Sequence, residues 1–181
     1  MKSKDIALVA LFTALTSIGA YISIPFKPVP ITLQSFFVIL SGILIGPKLG
    51  ALSQVLYILL GLVGIPVFSG FVGGPQIIMK PSFGFIVGFV FAAFISGKLS
   101  HGEDSISSIK IWMASIISTL IIYLFGLPYM YYILNGVMGI SISVKDAIYA
   151  NFLLFLPGDT LKIIIASLIG IKILPIVKRV D

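Results

Sequence analysis

The chain has 181 residues, of which 59% are hydrophobic and 10% are charged, whereas soluble domains contain about 45–50% apolar and about 25% charged residues. This composition predicts an integral membrane protein of one domain, because six spans of about 20 residues would occupy nearly the whole chain and leave no room for a soluble catalytic domain. There is no cysteine, and the single histidine, His101, lies among polar residues, so disulfides, cysteine nucleophiles and metal centres are excluded. The formal charge of +6 comes from basic residues spread through short loops, which argues against nucleic-acid binding.

Six apolar segments predict an all-α membrane protein with transmembrane helices at residues 5–24, 31–46, 49–65, 83–99, 109–130 and 157–177. The first segment is long for the core of a signal peptide and has no clear cleavage site before Pro25, so we interpret it as a retained span. With six spans both termini lie on one side of the membrane, and eight basic residues fall on that side: Lys2, Lys4, Lys48, Lys98, Lys110, Lys172, Lys178 and Arg179. The other side has Lys27, Lys80 and Lys145. The positive-inside rule therefore predicts a multi-pass cell-membrane protein whose termini are both cytoplasmic.

Small residues recur at helical spacing in the first span, at Ala7, Ala10 and Ala14. The pair Ala10 and Ala14 has the small-xxx-small spacing that lets another helix approach closely. Packing within the protein and binding to a partner both explain such a pair.

Residues 49–79 form an uncharged stretch. This stretch is longer than one span needs and too short for two spans with a turn. The second half of this stretch is dense in Gly and Pro, including Gly73 and Gly74, so it cannot continue a helix. Irregular backbone is tolerated in a membrane only where protein or a water-filled cavity surrounds it. We therefore expect an irregular external loop between the third and fourth spans that acts as a lid over an outward-facing pocket.

The pair Asp159 and Lys162 is the main candidate binding site, because it brings opposite charges into the otherwise apolar last span. An ionisable residue within a membrane indicates a functional site by default. One interpretation is structural: Pro157 opens the helix, Asp159 caps it and Lys162 is its intrahelical partner. The other is that both charges, three residues apart on one face, enter a common cavity. Candidates of lower rank are Gln34, expected one turn into the second span, and Asn151.

Several motifs are absent from the chain. It has no phosphate-binding G-x-x-x-x-G-K-[ST] loop, so we expect no ATP hydrolysis by this protein itself. Few ionisable groups lie in the predicted spans, which argues against a proton-relay pump. No nucleophile is paired with a base in these spans, which argues against an enzyme. A small protein that binds a solute without energising its movement requires a partner that does.

Four motifs along the chain together resemble one family. They are Val-Pro-Ile-Thr-Leu-Gln at 29–34, Leu-Ile-Gly-Pro-Lys-Leu-Gly-Ala at 44–51, Tyr-Ile-Leu-Leu-Gly-Leu-Val-Gly-Ile-Pro-Val-Phe at 57–68 and Pro-Gly-Asp-Thr-Leu-Lys at 157–162. In this order and spacing they resemble BioY, the biotin-binding S component of energy-coupling factor (ECF) transporters. The resemblance implies a six-helix protein in the lipid bilayer that captures biotin from outside and works with a transmembrane coupling protein and two cytoplasmic ATPases. It implies no catalytic residue and no cofactor, only the ligand biotin.

The resemblance also implies roles for individual residues. Asp159 and Lys162 match the acidic and basic ligand-binding positions of the family, and Ala10 and Ala14 match its AxxxA contact surface for the coupling protein. The loop 66–85 matches the substrate-covering loop of the family. The resemblance implies lid residues at Phe68, Gly73, Gly74, Ser82 and Gly84 and a substrate-binding residue at Phe85. This chain departs from the usual Gly-Pro-Thr-Gly-Gly-aromatic pattern by having Lys80 and Phe83, which puts the geometry of the lid in question.

The chemistry of biotin suits these residues. Asp159 could accept a hydrogen bond from a ureido N–H, and Lys162 could bind the ureido carbonyl or the carboxylate, so the orientation of the ligand stays open. The alternatives are an S component for another vitamin such as thiamin or riboflavin, a secondary transporter, a membrane enzyme, and a scaffold without a ligand.

Overall fold

Long apolar helices form the fold, as expected for a chain of this composition. The computed structural model describes residues 2–101, 107–149 and 153–180. Its helices are α1 (Ser3–Tyr21), α2 (Gln34–Leu62), α3 (Phe83–Ser100), α4 (Ser108–Tyr132), α5 (Val144–Ile148) and α6 (Leu154–Val180), with a 3-10 helix at Pro75–Met79 and a π turn at Ile133–Val137. In the described part of the chain, α1, α2, α3, α4 and α6 are each long and apolar enough to cross a membrane.

Helix α2 is in fact two antiparallel helices. Gly46 has φ 82° and ψ 173°, a conformation that only glycine adopts easily, and Pro47 follows it. The halves 34–45 and 47–62 fold back on each other so closely that a Cβ on Gly50 would lie 2.9 Å from the Cα of Gly42. The all-helical architecture predicted from the sequence is therefore confirmed, and the break in α2 separates the segments predicted as the second and third spans.

His101 caps the end of the first half of α2. The carbonyl of Ile43 would bond to the N–H four residues later, but Pro47 has none. Instead, Nε2 of His101 lies 2.8 Å from the Ile43 carbonyl oxygen. The histidine thus satisfies a backbone group that the Gly-Pro break leaves without a helical partner, and it joins the start of the loop after α3 to the α2 turn.

Several element boundaries differ from those expected, among them the end of α1 at Tyr21 in place of residue 24. Ile31 and Thr32 form a short strand, β2 (Ile31–Thr32), paired with β1 (Ser23–Ile24), so the helix begins at Gln34 and this residue does not lie one turn inside it. The third span ends at Leu62. The last helix begins at Leu154, so Pro157 lies within its first turn, where the first four N–H groups have no intrahelical partner and the missing N–H of proline costs little.

A buried polar network joins α1 to both halves of α2. The side chain of Gln54 is fully buried, and its Nε2 donates to Ser53 Oγ at 2.9 Å and to Ser41 Oγ at 3.4 Å. Thr16 Oγ1 lies 3.4 Å from Gln54 Oε1, and Thr13 Oγ1 donates to the Ser53 carbonyl at 2.9 Å. A buried amide in a membrane bundle must find such partners, and these bonds hold α1 and the two halves of α2 together.

Candidate functional site

A cavity of about 240 Å³ opens among the helices at the end of the bundle that carries the hairpin and the long loop after α2. Six parts of the chain line it: 28–32 around β2, Gln34 and Ser35 of α2, then Phe68, Ser69, Ile77 and 80–82 of the loop, Phe85, Ile86 and Phe89 of α3, Thr119, Ile122 and Tyr123 of α4, and Phe155, Asp159 and Lys162 of α6. Most of this lining is apolar with a few converging polar groups, which is the usual character of a small-molecule site.

Asp159 and Lys162 form an ion pair on the wall of this cavity. Lys162 Nζ lies 2.8 Å from Asp159 Oδ1 and 3.2 Å from Ser35 Oγ. The other carboxylate oxygen, Oδ2, accepts a hydrogen bond from the hydroxyl of Tyr123, and Asp159 is 9% exposed. The pair is therefore intrahelical and also faces a common cavity, but the capping role is wrong, because α6 begins at Leu154 and Asp159 does not lie in its first turn.

Gln34 connects the hairpin to the long loop at the edge of the cavity. Its Nε2 donates to the hydroxyl of Tyr57 at 2.6 Å, and its Oε1 accepts from Thr32 at 2.9 Å. The Tyr57 hydroxyl in turn donates to the carbonyl of Val67 at 3.2 Å. Because both ends of its amide are already bonded within the protein, Gln34 contributes to the cavity wall mainly by holding these two segments in place.

The loop from 63 to 82 is irregular, as the Gly and Pro content predicts. Gly64, Gly70 and Gly74 have positive φ, as does Phe71. Phe68 is almost fully buried, and its ring packs on Gly61, where a Cβ would collide with it.

Besides Tyr57, two further tyrosine hydroxyls attach this loop to the helices. Tyr21 donates to the Pro66 carbonyl at 2.7 Å, and Tyr129 donates to the Ile78 carbonyl at 2.5 Å. Each bond ties otherwise unpaired loop backbone to the end of a spanning helix, α1 and α4 respectively. The loop therefore lies against the bundle next to the cavity opening.

The structure brings most of the predicted binding and lid residues to the cavity. Those that line it are Asp159, Lys162, Gln34, Phe85, Phe68 and Ser82. Gly73, Gly74 and Gly84 do not line it: a side chain on Gly73 would meet the backbone of Gly64 and Ile65, the N–H of Gly74 bonds to the Gly61 carbonyl, and Gly84 packs against Tyr129. These glycines allow close packing beside the site. Asn151 lies outside the described residues.

The three alanines of α1 share an exposed face of the bundle. Ala7, Ala10 and Ala14 are all exposed, while Thr13, Thr16 and neighbouring residues on the opposite face are buried against α2. Packing within this chain therefore does not account for the small-xxx-small pair.

Tyr123 is the most important site residue that sequence reasoning missed. It is a single tyrosine in the apolar middle of α4, with Thr119 one turn earlier on the same face, and both line the cavity. That spacing of two polar groups in a span was the available signal. Ser35, the second partner of Lys162, was missed for a simpler reason, since a serine in an apolar helix is usually bonded to its own backbone.

Comparison with known proteins places this arrangement in a family. The BioY family model matches residues 1–179. A biotin transporter BioY from Thermotoga maritima is 37% identical over 171 residues, covering 94% of this chain and 95% of the relative, and a probable biotin transporter BioY from Pyrococcus horikoshii is 51% identical over 126 residues, covering 70% and 74%. Among solved structures, the S-component for biotin from an ECF-type ABC transporter superposes with a TM-score of 0.70 at 28% identity, covering 96% of this chain and 94% of that one.

Proposed function

This chain belongs to the BioY family, and on that basis we propose that it is the biotin-binding S component of an ECF-type vitamin importer. It is a multi-pass membrane protein, and we expect it to be a transport subunit and not an enzyme. The observation that carries the proposal is the buried ion pair Asp159–Lys162, held by Tyr123 and Ser35 on the wall of a mostly apolar cavity. A protein keeps such a pair within a membrane where it has a use for it.

The residues of the cavity suit the parts of biotin. Asp159 accepts a hydrogen bond from a ureido N–H while Lys162 donates to the ureido carbonyl, and charge-assisted bonds of this kind are the stronger ones. The fused rings are apolar and pack against Phe85, Phe89 and Phe155, which lie on two sides of the cavity. Aromatic side chains provide large contact areas for such a ring system.

The loop from 63 to 82 acts as the lid. Its attachment through Tyr57, Tyr21 and Tyr129 supports a closed position over the cavity, and release of these few bonds would open it. Biotin enters from outside through this opening, and lid closure then removes the ligand from water.

Energy for transport comes from other subunits. A transmembrane coupling protein binds the exposed face of α1 that carries Ala7, Ala10 and Ala14, and two cytoplasmic ATPases drive the release of biotin into the cell. The protein resides in the cell membrane with both termini in the cytoplasm, which the distribution of its lysines supports.

Calorimetric titration of the purified protein with biotin, thiamin and riboflavin tests this function. We expect saturable one-to-one binding of biotin and no binding of the other two vitamins. Binding of thiamin or riboflavin in place of biotin would keep the architecture and overturn the substrate. No binding of any of the three by protein with a cooperative thermal transition would favour a scaffold without a ligand.

A further inference from the structure

The charges that line the cavity do not balance. Its charged lining residues are Asp159, Lys162 and Lys80. Asp159 and Lys162 neutralise each other at 2.8 Å, and each has a second partner in Tyr123 or Ser35. In the described part of the chain Lys80 forms no ion pair, and its side chain is exposed. The site without ligand therefore carries one uncompensated positive charge, and that charge belongs to Lys80.

Lys80 and the ion pair lie at different depths. Lys80 is in the loop, after the 3-10 helix Pro75–Met79 and before the start of α3, so it stands at the mouth of the cavity. The side chains of Asp159 and Lys162 are each only 12% exposed, whereas Lys80 is exposed. Apolar residues also line the cavity, among them Ile77, Phe85 and Ile86. The cavity therefore has a buried ion pair of zero net charge and, at its exposed edge, the cation Lys80.

This arrangement leads to a proposal that rests on the function given above. We infer that Lys80 binds the carboxylate of the ligand, so that the ureido group points inward to Asp159 and Lys162 and the valeryl chain runs outward to the mouth. The inward group is neutral and needs hydrogen-bonding partners, which the ion pair supplies without any change in net charge. The carboxylate is an anion and needs a cation that is not already paired. Lys80 is therefore a specificity-determining residue for ligands that end in a carboxylate.

Comparing two ligands in two variants tests this inference. The ligands are biotin and biotinol, in which a neutral hydroxyl replaces the carboxylate, and the Kd of each is measured by calorimetry in wild type and in Lys80→Met. We expect wild type to prefer biotin by about tenfold or more, and Lys80→Met to lose most of that preference through weaker biotin binding, with biotinol affinity unchanged. Lys80→Arg keeps the charge and should keep most of the preference for biotin.

The matched control is Lys145→Met, which removes an exposed lysine of α5 that does not line the cavity. It should leave both affinities unchanged. A preference for biotin that survives in Lys80→Met overturns the inference, and loss of that preference in Lys162→Met alone assigns the carboxylate to Lys162 instead. Failure of wild type to bind biotin at all contradicts the proposed function itself, so the two failures are distinguishable.

Discussion

At the scale of single residues, Tyr123 determines how Asp159 is presented. Its hydroxyl bonds one carboxylate oxygen while Lys162 bonds the other, so the carboxylate cannot rotate freely. Charged residues in an apolar span are easy to recognise from sequence, and for that reason Asp159 and Lys162 could be predicted. A tyrosine is a weaker signal than a charge, because most tyrosines of membrane proteins lie at the interface with water.

We predict that Tyr123→Phe lowers the thermal stability of the ligand-free protein. A hydrogen bond to a charged group contributes about 1.5–3 kcal/mol, and its loss leaves a buried carboxylate oxygen without that donor. Tyr132→Phe is the control, since Tyr132 lies at the end of the same helix and is 63% exposed. Unfolding curves in detergent should show a lower midpoint for the first variant and no change for the second. Equal midpoints would mean that the Tyr123 hydroxyl does not stabilise Asp159.

At the scale of elements, the break in α2 and the irregular loop follow from Gly and Pro, which act locally and are visible in the sequence. The strand pair β1 and β2 could not be predicted, because two-residue strands leave no alternating pattern. The start of α6 at Leu154 could not be predicted either. A proline is tolerated within the first turn, so Pro157 does not mark the first residue of the helix. The packing of the loop on the helices depends on Gly61, whose partner Phe68 is determined only by the tertiary fold.

Gly61→Ala should weaken biotin binding by about tenfold, because overpacking costs roughly 1–3 kcal/mol and here disturbs Phe68, which lines the cavity. Phe68 is 1% exposed and packs against Tyr57 with ring centroids 5.3 Å apart, so it has no free space into which to move. The measurement is the biotin Kd by calorimetry. Gly136→Ala is the matched control, as its nearest neighbour, a ring carbon of Tyr132, would lie 3.5 Å from the added Cβ. Wild-type affinity in Gly61→Ala would show that the position of the loop does not matter for binding.

At the scale of the whole molecule, the six spans could be predicted from length and hydropathy, but the cavity could not. It forms where hairpin, loop and four helices meet, and the residues that line it come from positions 28 to 162. The fold therefore has two separate surfaces, which are the lining of the cavity and the exposed face of α1. Because they do not share residues, ligand binding and assembly with partner subunits should be separable by mutation.

Ala14→Trp tests that separation. A bulky side chain on the exposed face of α1 should block close approach of a partner helix and leave the biotin Kd unchanged. Co-purification with a coupling protein and ATPases measures assembly, and calorimetry measures binding. Ile116→Trp, on the exposed face of α4, is the control and should affect neither. Loss of both activities in Ala14→Trp would mean that α1 is needed for the fold and would contradict independent surfaces.

The central claim is that the ion pair in the cavity binds biotin, and the most direct measurement is the biotin Kd of Asp159→Ala. Removal of Asp159 eliminates the acceptor for the ureido N–H and leaves Lys162 without its counter-charge, and truncating one member of a buried pair costs roughly 2–5 kcal/mol. Calorimetry should therefore show binding weaker by about thirtyfold or more. Wild-type affinity for biotin in Asp159→Ala protein that retains a cooperative thermal transition would contradict the account.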